Sequence, residues 1–155
     1  RFDDQTYGNA TVPFLLHTNF RGLPGYADHP QTPAGIKYYT PDDDTAYQIN
    51  RHFSKKCKFN ERENPNEGFI EFLSVMGSVG SIAQTNRSDF DIWVGIHRGD
   101  ADQEQYHAFV EKLRGIEQWL EKLRLEVHFF PTDIKSVTNN VRHRWWRIID
   151  IRKNN

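Results

Sequence analysis

Cysteine is nearly missing from this chain. Cys57 stands alone, which excludes an internal disulfide and makes a reducing cytoplasm the simplest expected compartment. Long apolar runs are missing as well, so no membrane span is expected, and Arg1 to Gly8 lacks the charged-then-apolar profile of a secretory signal. Neither sign of charge is in excess, with 20 Lys and Arg against 21 Asp and Glu. That balance excludes a whole-molecule field drawing the protein to nucleic acid or to an anionic membrane, and any polyanion binding has to be local. The seven histidines show no Cys/His pairing and no His-x-x-x-His spacing, which argues against zinc. There is no Gly-x-Ser-x-Gly elbow for a nucleophilic serine and no internal repeat. Position 1 is arginine rather than methionine, which leads to the expectation that a further segment precedes it.

What is present is enough for one domain. A chain of 155 residues can bury a real core but not two ordinary ones. Aromatic residues reach 14%, so the core is expected to lean on rings such as Phe14, Phe69, Phe72, Trp93, Trp119, Phe129 and Phe130. Thr11 to Phe20 reads as the end of a helix with Pro13 tolerated in its first turn. Arg21 to Asp44, rich in Gly and Pro, reads as an ordered loop whose Tyr26, Ile36, Tyr38 and Tyr39 pack onto the core. Asp42 to Asp44 read as a solvated helix start rather than a metal cluster. The Lys55 to Lys58 stretch around Cys57 and the hinge from Asn60 to Asn66 read as surface. Asp102 to Arg124 is the clearest helix, capped by Asp102 and Gln105, with an apolar stripe that should cover one face of a sheet. Leu125 to Phe130 follows as a strand ended by Pro131, with Glu126 facing opposite to Val127.

The chemistry is concentrated between Ser74 and Val94. Phe69 to Met76 reads as an apolar strand that breaks at Gly77-Ser78, with a short helix following through Ser81 to Gln84. Strand, glycine turn and helix make a phosphate-binding layout, with backbone N–H groups near Gly77 and Ser78 and the Ser78 hydroxyl facing the anion. Asp89 to Ile96 reads as a second strand, antiparallel to the first because the connection is short. Asp89 and Asp91 lie two apart in it, so both carboxylates project from one face. Such a pair repels itself unless a cation intervenes, and oxygen-only donors favour Mg²⁺ or Mn²⁺. Trp93 is expected in the core, alternating with the metal face, with a place in the lining of a ligand pocket as the other option.

This order of parts resembles the nucleotidyltransferase fold of polymerase-beta-like enzymes, which implies an α+β domain with a small mixed sheet and flanking helices. Its core would span about residues 67–137 within a single domain of 1–155. The resemblance implies Glu126 as a third metal-binding carboxylate. Met76-Gly77-Ser78 through Asp89-Phe90-Asp91-Ile92-Trp93-Val94 is narrower still: it resembles the signature of the class I adenylate cyclases of bacteria. Leu23 to Tyr26, Pro33 to Ile36, Tyr39 to Asp42 and Leu125 to Phe130 resemble further segments of that family's N-terminal catalytic region, in order. The resemblance implies conversion of ATP to cyclic AMP and pyrophosphate, with Gly77, Ser78 and Ser81 on phosphates and Asp89, Asp91 and Glu126 on Mg²⁺ or Mn²⁺. Val79, Gly80 and Ala83 depart from the family's Thr, Ser and Gly, which removes two hydroxyls within reach of phosphate. Val141 to Arg152 has no counterpart in the pattern; it reads as a packed terminal element, with base stacking as the other option. Two other readings stay open: transfer of a nucleotide to a protein, RNA or small-molecule hydroxyl, and a remnant that folds without catalysis.

Overall fold

Period-two alternation in three apolar runs builds a three-stranded sheet, seen in a computed structural model that describes residues 10–53, 68–76 and 88–136. Strands β1 (Ile70–Met76), β2 (Ser88–Ile96) and β3 (Leu125–Asp133) lie in the order β1-β2-β3. β1 and β2 are antiparallel, as their short connection requires, while β2 and β3 are parallel. A parallel pair needs a crossover, and the helix between those strands supplies it. The sheet is therefore mixed, and the domain is α+β.

Helix α1 (Val12–His17) carries Pro13 in its first turn, where proline is tolerated. Helix α2 (Asp43–Phe53) starts behind Asp42, whose carboxylate accepts from the Thr45 N–H at 2.7 Å, so the acidic run is a solvated helix start. Helix α3 (Gln103–Lys122) opens on a capping box in which the Gln105 N–H donates to Asp102 and the Gln105 side chain accepts from the Asp102 N–H, each at 2.8 Å. Its stripe of Phe109, Leu113, Ile116 and Leu120 is buried against the sheet residues Leu73, Ile92, Val94, Val127 and Phe129. α1 lies with α3 on that side through Phe14, Leu15 and Leu16.

The loop from Thr18 to Ile36 is ordered because polar groups inside it are matched. The Asn19 side chain donates to the Ala27 carbonyl and accepts from the Ala27 N–H, both at 3.0 Å. Gly25, at φ +79°, presses on α3 so closely that an added Cβ would stand 2.5 Å from Ile116 Cγ1. Lys112, 1% exposed at the middle of α3, donates its ammonium to the Thr18 carbonyl and, at 3.4 Å, to the Gly25 carbonyl. Ile36 and Tyr39 pack on the core as expected. Tyr38 does not: it is 78% exposed at φ +61°, with Lys37 over its ring, because the turn points it outward.

β3 also departs from expectation by running through Pro131 to Asp133. It is an edge strand among the described residues, and the Phe129 N–H points away from β2, donating to the Glu117 carboxylate at 2.7 Å. The nitrogen of Pro131, two residues on, faces the same way and breaks no ladder bond.

His17 makes the fold acid-sensitive. Its Nδ1 accepts from the Ile36 N–H at 2.9 Å, and burial first, then the Lys112 charge, lower its pKa from 6.5 to about 4. As pH falls from 6.5 to about 4, the unfolded chain binds a proton that the native state refuses, so stability drops through that window. The full loss is about 3 kcal/mol. Denaturant melts at stepped pH should show this slope in the native chain and a flatter one in His17→Asn; parallel slopes would disprove the assignment.

Candidate active site

The helices cover one face of the sheet, and the other face carries the exposed carboxylates of Asp91 and Glu126. Pleating sends Phe72 and Ser74 of β1, Asp91 and Trp93 of β2, and Glu126, His128 and Phe130 of β3 to that second face. The Phe72 ring packs on Gly95, where an added Cβ would come within 2.2 Å of it and the ring would have to shift. Asp91 is exposed, as are Glu126 and His128.

Register does what spacing alone could not. Asp89 pairs with Glu126, and Asp91 with His128. Neighbouring strands run about 4.8 Å apart, so the three carboxylate positions form a tight triangle of backbone positions. Asp89 is described by its backbone alone; among the described residues no group of three His, Cys, Asp or Glu side chains is arranged to hold a metal. Aspartate and glutamate at those positions offer hard oxygens, the donor type that suits Mg²⁺ or Mn²⁺. Gly77, Ser78 and Ser81, the expected phosphate contacts, and the short helix after them lie outside the described residues, as do the Cys57 region, Asn60 to Asn66 and the tail from Val141.

Two residues beside the carboxylates are not counted with the site from the sequence. His128 Nε2 stands 3.2 Å from Glu126 Oε1. That hydrogen bond raises its pKa against an opposing burial effect, with Glu117, Glu126 and Asp91 adding attraction. A histidine in that position fixes the Glu126 carboxylate. The alternation of Glu126 and His128 with Val127 and Phe129 along β3 was the available signal. Trp93 is the other: it belongs to the carboxylate face, not the core, because it lies two residues from Asp91, the same step that aligns Asp89 with Asp91. It is half-buried, and its ring centroid lies 6.0 Å from that of Phe130, which is 44% exposed rather than in the core. Beside β3, a cleft of about 290 Å³ opens between Glu126, His128 and the C-terminal half of α3, lined there by Glu117 and Glu121.

Comparison with known proteins places the chain among relatives. A family model described as the adenylate cyclase NT domain matches residues 3–146. An adenylate cyclase of Proteus mirabilis is 34% identical over 145 residues, 90% of this chain and 15% of the relative. An adenylate cyclase of Haemophilus influenzae is 33% identical over 138 residues, 84% of this chain and 16% of the relative. An adenylate cyclase of Escherichia coli K12 is 34% identical over 134 residues, 85% of this chain and 15% of the relative. The chain thus spans about a sixth of the length of these curated relatives. No solved structure matches it.

Proposed function

Because the chain belongs to the adenylate cyclase N-terminal domain family, we propose that it carries the metal-binding carboxylates for conversion of ATP to cyclic AMP and pyrophosphate. The observation that carries this reading is the pairing of Asp89 with Glu126 and of Asp91 with His128 on the sheet face opposite the helices. In the reaction the ribose 3′-oxygen bonds to the α-phosphorus while the bond to the bridging oxygen breaks and pyrophosphate leaves.

Asp89, Asp91 and Glu126 would hold Mg²⁺ or Mn²⁺. When bound, such ions acidify the hydroxyl and neutralise charge on the departing phosphates. The chain's own part is positioning. β2 and β3 fix the carboxylates relative to one another, and His128 restrains Glu126 through its hydrogen bond. Gly77, Ser78 and Ser81, just after β1, would hold the β- and γ-phosphates through backbone N–H groups and hydroxyls. Among the described residues no helix is long and apolar enough to cross a membrane.

Calorimetry with ATP, with and without Mg²⁺ or Mn²⁺, followed by mass detection of cyclic AMP, tests the proposal. The expected result is metal-dependent ATP binding by this chain, faint turnover by the chain alone, and strong turnover by a protein of the relatives' full length. ATP affinity that is absent or indifferent to the metal overturns it. A nucleotide transferred to another hydroxyl, with no cyclic product, would keep the carboxylates and replace the reaction.

A further inference from the structure

We propose that Trp93 and Phe130 form the platform on which the purine ring of the nucleotide stacks, an inference that rests on the reading of the carboxylates given above. Three observations carry it. First, Trp93 and Phe130 are direct partners in the β2–β3 register, with ring centroids 6.0 Å apart and planes inclined by 31°, so they make one continuous aromatic surface across two strands. Second, that surface is on the carboxylate face, one residue pair beyond Asp91 and His128. Two residues along a strand is about 7 Å, the reach of a ribose from its phosphate.

Third, Phe130 leaves 44% of its surface exposed on a strand whose alternate residues, Val127 and Phe129, are buried. A solvent-facing strand position accommodates a polar side chain at no cost, and here two paired rings form a contiguous apolar patch beside charged groups, the kind of patch that ligand surfaces use. Its occupant has to offer a flat apolar face and an anionic group a short distance away. A nucleoside triphosphate offers both. Base stacking on aromatic rings is tolerant of base identity, so the platform supplies affinity and leaves the choice of adenine to edge contacts made elsewhere.

The test separates base from phosphate. Calorimetry on the chain in Mg²⁺ uses two probes, ATP and inorganic triphosphate, against Phe130→Leu, Phe130→Ala and Phe130→Tyr. Phe130→Leu keeps an apolar side chain and guards against misfolding. The expected result is a loss of ATP affinity of roughly tenfold or more in the Leu and Ala variants, little change in the Tyr variant, and unchanged triphosphate affinity in all three. Tryptophan emission should also be quenched by ATP and not by triphosphate, with that difference gone in Trp93→Phe. If ATP and triphosphate affinities fall together, or neither falls, the platform is overturned while the carboxylate site stands. If the unmodified chain binds neither probe, both readings are overturned.

Discussion

Asp91→Ala is expected to abolish Mg²⁺-dependent ATP binding by this chain and to lower cyclic AMP formation by a full-length protein about a thousandfold. The magnitude follows from the chemistry: metal stabilisation of charge in phosphoryl transfer contributes several kcal/mol, and each 1.36 kcal/mol is tenfold in rate. Asp91 is exposed at its place in β2, so its removal leaves no cavity and strands no buried partner. Circular dichroism and the melting temperature should therefore stay close to those of the parent while activity disappears. Asp91→Asn should fail nearly as completely, because the amide keeps the shape and loses the charge. Glu104→Ala, an exposed carboxylate in the first turn of α3, is the control that should retain activity. Retention of metal-dependent binding in Asp91→Ala would remove this strand from the catalytic site.

Lys112→Ala is expected to destabilise the fold by about 3 kcal/mol or more, a large share of the margin of an ordinary domain. Two losses combine. The Thr18 and Gly25 carbonyls lose their buried donor, and the aliphatic stem leaves a void in the middle of α3's packed face. Lys112→Met keeps most of the stem and should lose less. The same residue sets a pH signature at the alkaline end. Burial lowers the Lys112 pKa from 10.5 to about 7, so between those values the unfolded chain holds a proton that the native state has released. Stability should rise with pH across that window, with the penalty complete below about 7. In Lys112→Met this contribution vanishes, and the difference in melting temperature between the two proteins should narrow or change sign below neutral pH. A constant difference from pH 6 to 10 would show that Lys112 stays charged when buried.

Much of this was written into local pattern. The Asp102 cap, the helical stripe through Leu120 and the antiparallel turn-back of β2 on β1 are each set by residues close in sequence, and each appears where the pattern places it. Lys112 shows what local pattern loses. It sits on the stripe between Phe109 and Leu113, which is a signal of burial, but its partners are carbonyls 94 and 87 residues away, and no spacing rule reaches that far. Pro131 reads as a strand end because proline removes a donor, yet at an edge the outward nitrogen has no ladder partner to lose. Trp93 is a different case: the sequence expectation is the core, alternating with the metal face, whereas period two places it with Asp91. The pairing of Asp89 with Glu126 depends on the register of two strands separated by a helix, which only the folded chain specifies.

The rim of β3 has a bearing on how such a domain survives at high concentration. With the Glu117 carboxylate seated on the Phe129 amide and a proline two positions later, a second polypeptide approaching that flank meets no free donors at either position. Cross-β recruitment needs an uninterrupted row of them, so the domain can display aromatic rings to water beside its carboxylates without that rim becoming a template for fibril growth.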